Sequence, residues 1–502
     1  MTDSQKTEQK VEYEAVMGLE VHVELSTKSK LFCGCKNVFG QEPNTNICPV
    51  CLGLPGSLPV LNEQAVKYAH SVSKALGFSV PDVCLFHRKN YFYPDMPKDF
   101  QTSQYDTPIC FDGKLEVSVD NGNGEVNIVT IEIERAHLEE DTGKSTHLGS
   151  DGRIHNALAS LIDYNRAGVP LLEIVTYPCI RSSEEARAYV SELRSILKSI
   201  GVSDVKMEEG SMRVDANISV RPKGQAELGT KTEIKNMNSI RSLGRAIDYE
   251  IERQIELVSG GGEVVQQTRH WSEVDNKTHP MRSKEAANDY RFFPEPDLMP
   301  VISTEEMLKT AEVNLPMLPK EKRLVLSSGG VSNQDAQIIV ENEELYAFAE
   351  ACIKSGTKAG KDVGTLCVTV ILSYLNEGNE LTLKPQSLVD VLNLQDQGKL
   401  SKNQTKSVIE DALKSRKDPL DIIKSKGLEQ NSDEDALQEI VKTVINQNSK
   451  DWEQFVLAKS DNDEGKAKKL QGFFMGKCMA ASRGKGNPGL FVQLINKQLS
   501  DK

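Results

Sequence analysis

No stretch of the 502-residue chain approaches 18 consecutive apolar residues, about the length a helix needs to cross a bilayer, so no membrane segment is predicted. Positive charge is also in short supply. Sixty Lys and Arg stand against 73 Asp and Glu, for a net charge of −13. A chain this acidic does not coat nucleic acid through its overall field, so DNA is not an expected partner and RNA contact needs a local basic patch. Met1–Lys10 has no apolar run and carries Asp3 and Glu8, unlike a secretory or transit signal; residues 1–12 are expected to be a disordered leader. A secreted disulfide framework is missing too. Four of the ten cysteines fall between positions 33 and 51 and the rest are scattered, the usage of a reducing, cytoplasmic compartment. There are no internal repeats. Gly143-Lys144-Ser145 is not a phosphate loop, because GxxxxGK[ST] requires glycine where Leu138 stands.

What is present begins at Gly18–Leu25. Leu19, Val21, Val23 and Leu25 alternate with Glu20, His22 and Glu24, the period-two pattern of a half-buried strand. One face is aliphatic. The other carries carboxylates around an imidazole, which is either an ordinary charged surface or a set of hard-cation ligands suited to Mg²⁺. Met212–Arg221 repeats the design, with Met212, Val214, Ala216, Ile218 and Val220 on one side and Arg213, Asp215 and Asn217 on the other; Lys231–Asn236 adds Glu233 and Lys235. Three such strands predict a sheet with helices on its apolar side and a charged, concave front. Carboxylates there would hold Mg²⁺ and Arg213 or Lys235 would clamp phosphates, the equipment of phosphoryl transfer without a protein nucleophile.

Cys33-Gly-Cys35 and Cys48-Pro-Val-Cys51 place paired thiols on two short loops, enough for one tetrahedral Zn²⁺; four reduced structural cysteines are the plainer reading. Asn62–Leu76 reads as a capped helix. The segment His87–Lys98 interleaves Arg88, Lys89 and Lys98 with Tyr91, Phe92 and Tyr93, either a platform for a nucleotide or RNA end or a packed loop. Asn121–Gly124 is a hairpin turn, and Glu139-Glu140-Asp141 forms a dense acidic run. Ser182–Glu185 and Ser303–Glu306 are capping boxes. Beyond Ser303 the pattern is helical, over Asp335–Gly356, Asp362–Leu375 and Gln386–Leu394. The last stretch, Gly465–Lys502, carries eight Lys and Arg, among them Lys477, Arg483 and Lys485, against Asp501 alone, or +7. Small residues among these cations allow close approach of a backbone.

Taken in order, Gly18–Leu25, Arg88–Asp95, His137–Asp141, Asp163–Pro170, Lys206–Ser211, Asp215–Asn217 and Asp289–Asp297 resemble the B subunits of tRNA-dependent amidotransferases, the GatB family. The resemblance runs through the first 300 residues, and the C-terminal third is also similar. It implies an α+β fold: a glutamine-synthetase-like β-sheet cradle over 13–302 with a zinc knuckle at 33–51, an all-α domain over 303–425, and a YqeY-like tail over 426–502. It implies that the side-chain carboxylate of mischarged Glu-tRNA(Gln) or Asp-tRNA(Asn) is phosphorylated by ATP and then amidated. Metal ligation is carried by similarity onto Glu20, His22, Glu140 and Glu233; the cysteines match a Zn²⁺ knuckle that some relatives lack. Arg213, Asp215 and Lys235 are added as ATP or phosphate contacts, and Arg88, Lys89, Tyr91, Lys477, Arg483 and Lys485 as tRNA contacts. The sequence has neither an amidase Ser/Ser/Lys segment nor an evident glutaminase cysteine. Ammonia is therefore expected from a partner amidase, the A subunit of a heterotrimer whose third member is a small C subunit. A stand-alone carboxylate–ammonia ligase would not need the basic tail, and a noncatalytic zinc-containing RNA-binding protein would not need the acidic face.

Overall fold

The computed structural model describes residues 11–120, 126–148, 158–281, 290–428, 434–461, 463–482 and 486–500. The leader before Val11, the turn at 121–124, Asp289, Arg483 and Lys485 lie outside these. The chain divides into two compact units, Met1–Leu318 and Pro319–Lys502.

The first unit is built from β1 (Tyr13–Glu24), α1 (Glu63–Ala75), β2 (Val83–Cys84), β3 (His87–Asn90), β4 (Phe100–Ser103), β5 (Cys110–Asp120), β6 (Val126–Glu140), β7 (Lys144–Leu148), β8 (Ala159–Asp163), β9 (Pro170–Thr176), α2 (Ser183–Ser199), β10 (Met212–Pro222), β11 (Thr232–Lys235), α3 (Ile240–Ser259), β12 (Gln267–Ser272), β13 (Lys277–Pro280), β14 (Phe293–Pro294), β15 (Val301–Ile302) and α4 (Glu305–Val313). Eleven strands form one sheet in the order β13-β12-β11-β10-β1-β9-β6-β4-β3-β14, with β5 paired to β6. Its ladders are antiparallel except for β11–β12. Strand β1 lies between β10 and β9, and its Leu19, Val21 and Val23 are fully buried. Alternation therefore sends Glu20, His22 and Glu24 to the opposite face.

Helices cover the apolar side. Asn62 caps α1 by accepting from Gln64 N, Ser182 caps α2 by accepting from Glu185 N, and Ser239 caps α3 by accepting from Ser242 N. Each satisfies an amide that a helix start leaves unpaired. Ala65, Val66, Ala69 and Val72 of α1, Tyr189, Val190, Leu193 and Leu197 of α2, and Leu243, Ala246 and Ile247 of α3 join the β1 and β10 aliphatics in one core.

The second unit is helical: α5 (Pro319–Ser328), α6 (Asn333–Ile339), α7 (Glu343–Lys354), α8 (Gly360–Leu366), α9 (Leu372–Asn376), α10 (Pro385–Asp396), α11 (Lys402–Ser415), α12 (Pro419–Lys426), α13 (Glu434–Gln447), α14 (Ser449–Ser460), α15 (Glu464–Ala481) and α16 (Pro488–Ser500). One apolar cluster runs from Leu326 to Ile423 and another from Leu437 to Ile495.

Three details differ from the sequence-based expectation. Thr304, not Ser303, caps α4; the Ser303 hydroxyl meets His70 Nε2 at 3.0 Å. Glu312 of α4 pairs with Lys74 of α1 at 3.5 Å, so α4 belongs with the first unit and the division falls after Leu318 rather than at 302. The helix expected over Asp335–Gly356 is two, because Asn342 accepts from Leu345 N and starts α7; that over Asp362–Leu375 contains a π turn at Cys367–Ile371.

Glu250 of α3 is fully buried. It accepts from Arg253, Gln254 and Thr278, and Arg269 Nε lies 3.6 Å away. Glu250→Ala leaves these donors facing no carboxylate, a loss of about 3–5 kcal/mol. Denaturation followed by Trp271 fluorescence in a Trp452→Phe background checks this, with a much smaller loss expected for Glu250→Gln.

Candidate active site and metal centres

Residues opposite each other on neighbouring strands share a face, and the ladders lay the charged front out in rows. His137 of β6 stands across from Glu173 of β9, Glu173 across from His22 of β1, and His22 across from Arg213 of β10. Glu20 is opposite Asp215, and Asn217 is opposite Glu233, which faces Thr268 on β12. The side chains close the gaps. His22 Nδ1 is 3.4 Å from Glu139 and 3.8 Å from Glu173, and its Nε2 is 4.0 Å from Asp215. His137 Nε2 is 3.2 Å from Glu173. Asn217 donates to Glu20 at 2.9 Å, Thr268 to Glu233 at 2.7 Å, and Lys235 Nζ reaches both Asp215 (2.5 Å) and Glu233 (2.9 Å).

This density of charge displaces the titrations. Burial alone would lower His22, but Glu173, Glu139 and Asp215 outweigh it and raise the imidazole to about 9. Burial and the neighbouring Glu173 raise Glu20 against the opposing charge of Lys235. Glu173 is held below the usual carboxylate range, since His137 and His22 overcome its burial. Lys235 and the Thr268 hydroxyl do the same for Glu233. At the end of the row, burial and Asp141 push Glu24 up to about 7 despite Arg213 and Arg166. Asp141 is kept ionised, against its burial, by those arginines, with Arg213 donating at 2.8 Å.

Three overlapping sets, Glu20–His22–Glu173, His137–Glu139–Glu173 and Glu20–Asp215–Glu233, each bring three donor atoms within 4.8 Å of one another. Adjacent ligands of an octahedral ion bound at about 2.1 Å are separated by about 3 Å and opposite ones by about 4 Å, so the carboxylates and imidazoles fit Mg²⁺. His22 would shed its proton on ligation, since only the neutral ring binds a metal.

The structure brings Glu20, His22, Glu233, Arg213, Asp215 and Lys235 onto this face but not Glu140. Glu140 pairs with Lys98 and accepts from Thr102 N at 2.8 Å, on the other side of β6. The reason is a β-bulge between Ile133 and Arg135 in the ladder with β9. Before it the buried aliphatics are Ile131 and Ile133; after it they are Ala136 and Leu138. The phase of alternation inverts, and Glu139 rather than Glu140 turns to His22. Glu173, His137 and Glu139 carry the row yet are not among the site residues expected from the sequence, although His137 and Glu139 fall in a segment that carries the resemblance. The signal for the last two was the His-Leu-Glu alternation, the same as in Glu20–His22; Glu173 was a lone acid in an apolar strand.

Arg88 is engaged elsewhere: it is bidentate to Glu295 at 2.7 and 2.8 Å and touches Asp297 at 3.3 Å. With Lys98, Phe100, Glu140 and the knuckle residues Cys33 and Cys51 it lines a cavity of about 290 Å³. Lys89 faces the front, its ammonium 4.9 Å from the Tyr290 ring, and Tyr91 is edge-on to the same ring.

The sulfurs of Cys33, Cys35, Cys48 and Cys51 lie within 4.8 Å of one another, compatible with Zn–S bonds of about 2.3 Å. Cys51 is drawn down to about 5 by the Cys33 thiol it accepts from and by the nearby Lys30 ammonium, against its burial. Lys30 is fully buried, 3.8 Å from Cys51 Sγ and donating to Asn46 O and Tyr164 O. In the second unit Lys466, Lys469, Phe473 and Lys477 fall along one exposed stripe of α15, where Gly472 and Gly476 have open space around them.

Residues 15–309 match the family profile described as the GatB/GatE catalytic domain, and 347–499 that described as a GatB domain. The chain is 46% identical over 495 residues to the B subunit of the aspartyl/glutamyl-tRNA(Asn/Gln) amidotransferase of Thermoanaerobacter sp. strain X514, covering 98% of this chain and 100% of that one. It is 47% identical to the protein so named in Carboxydothermus hydrogenoformans, over 97% and 99% of the two chains, and 44% identical to that of Brevibacillus brevis, over 97% and 99%.

Cys51→Ser is expected to take the zinc content of protein purified without chelators from about one ion per chain to near none. The melting temperature of the first unit should fall with it, because metal-binding free energy is folding free energy. Elemental analysis beside thermal melts checks both; a wild-type chain free of zinc would refute the assignment.

Proposed function

Because the chain belongs to the GatB family of tRNA-dependent amidotransferase subunits, we propose that its charged sheet face is where the side-chain carboxylate of a mischarged Glu-tRNA(Gln) or Asp-tRNA(Asn) is phosphorylated by ATP and then amidated. The contiguous ladder Glu233–Asp215–Glu20–His22–Glu173–His137–Glu139 carries this reading. A carboxylate is a poor acyl donor until its oxygen leaves easily, and phosphorylation supplies that leaving group. The protein's task is then positioning and charge neutralisation. Glu20, His22, Glu173, Asp215 and Glu233 would hold Mg²⁺, which neutralises charge on the transferring phosphoryl group. Lys235 now balances Asp215 and Glu233; with cations on those acids its ammonium becomes available to phosphate oxygens. Arg213, whose buried Nε has no hydrogen-bond partner among the described residues, is the second such donor.

Ammonia in this reading comes from a partner amidase, since the sequence holds no amidase or glutaminase set; that this is the A subunit of a heterotrimer with a small C subunit is what the family resemblance implies. The tail grips the body of the tRNA away from the acceptor end. Its support is the basic stripe of α15. Two glycines in mid-helix cost about 1 kcal/mol each relative to alanine, and they keep that surface open to a sugar–phosphate backbone.

Glu20→Gln and Glu233→Gln, in the complex purified with its native partners, should each reduce ATP-dependent amidation by roughly 10²–10³-fold, the scale of losing one preorganised electrostatic interaction. Glutamine hydrolysis by the partner should survive better. Normal amidation by both variants would sink the assignment.

Lys469→Glu with Lys477→Glu should weaken tRNA binding and make its logarithmic salt dependence shallower by about one for each phosphate no longer neutralised, with ATP affinity kept. Titrations at two salt concentrations read this directly; an unchanged slope would place the grip elsewhere.

A further inference from the structure

The edge of the sheet beside the acidic ladder carries a set of rings that the phosphorylation chemistry does not use. Tyr105 and Phe292 are stacked, with centroids 4.1 Å apart and planes 8° from parallel. Tyr290 meets Phe292 edge-on at 6.0 Å and Tyr91 at 6.3 Å. Tyr105 is 57% exposed, so the parallel pair reaches solvent rather than closing inside a core. A parallel stack that reaches solvent is a surface that a further flat ring prolongs; on its protein side the Tyr105 ring meets His87 edge-on at 6.2 Å. Lys89 stands over Tyr290, adding a cation beside the rings.

The platform borders the reacting site. His87 and Lys89 share a face with Ser103 and Gln101 across the β3–β4 ladder, and Ser103 is paired with Glu139. The Lys89 charge is felt at Glu173 and the Glu139 charge at Tyr91. An aminoacyl group hangs by an ester from the terminal ribose of its tRNA. Its carboxylate can reach the ladder only if the last nucleotide lies within an amino acid's length of it, and the Tyr105–Phe292 stack is an aromatic surface bordering that ladder.

We propose that the Tyr105–Phe292 platform, with Tyr290 and Lys89, seats the unpaired 3′ end of the tRNA by stacking on its terminal base while Lys89 meets the adjoining phosphate. This rests on the function proposed above and adds the subsite that delivers the substrate. Stacking is sequence-tolerant because every base has a π face, and a ring next to a cation suits a base next to a phosphate.

The test uses the full chain in its purified complex and two RNAs, intact tRNA and tRNA lacking its terminal adenosine, with a fluorescent adenine analogue at the terminus for a direct readout. Phe292→Ala, and Phe292→Leu as a variant that keeps apolar bulk without a ring, should weaken intact tRNA roughly 5- to 100-fold. They should leave the truncated tRNA unaffected and abolish quenching of the analogue. Tyr105→Trp should retain quenching. Equal weakening of both RNAs, or quenching that survives both Phe292 variants, overturns the proposal. A loss confined to ATP affinity also overturns it, since the rings would then hold the adenine of ATP. A wild-type complex that neither binds nor amidates mischarged tRNA defeats the function itself; a wild-type complex that amidates while the Phe292 variants quench normally defeats only the platform.

Discussion

Carboxylates on neighbouring strands repel, and like charges directly across a ladder destabilise a sheet. The front of this sheet nonetheless gathers Glu20, Glu139, Glu173 and Asp215 around two histidines, with Glu233 beside Glu20 and Asp215. What makes this tenable without metal is the interleaving of cations: Lys235 between Asp215 and Glu233, an imidazolium at His22, and Arg213 on Asp141. In the reaction proposed above, the side chains that balance the acids are the ones a phosphorylated substrate would also need. In that proposed reaction divalent ions and the internal cations would compete for one set of oxygens, so that loading the site with metal and freeing Lys235 would be parts of one exchange.

The apolar side makes this arrangement rigid. Leu19, Val21 and Val23 are packed against Val214, Ala216 and the helices, and a one-residue slip of β1 would turn that whole set toward the charges. Register is therefore fixed by burial, and the acids inherit their spacing from it.

Much of this was legible in the sequence. The two-faced strands at Glu20–His22 and Arg213–Asp215, the helix capped by Asn62 and the paired cysteines are local patterns, and local patterns survive without knowledge of partners. Lys235 was legible as a cation on the right strand, though not as the clasp between two acids. What could not be read was which strands lie side by side. Glu173 sits in an apolar run and becomes part of the site only because β9 is placed between β1 and β6. The ion pairs of Arg88 could not be read either, because its partners, Glu295 and Asp297, are two hundred positions away in the chain. The tail's +7 charge was visible, but the alignment of Lys466, Lys469 and Lys477 along one helix required the helix.

The bulge at Glu134 has a consequence for how the length of this chain can change. A β6 one residue shorter there would run Ile131, Ile133, Ala136 and Leu138 inward and Glu132, Arg135, His137 and Glu139 outward without interruption. Loss of Glu134 would keep each of these identities on its face relative to β9 while shifting the register against β5, whose Phe111–Arg135 and Gly113–Ile133 pairs run past it without a shift. What it contributes is local bend and twist, hence the direction from which Glu139 approaches His22. An in-frame deletion of Glu134 would separate two properties that substitutions leave joined: which side chains a surface presents, and how that surface is curved.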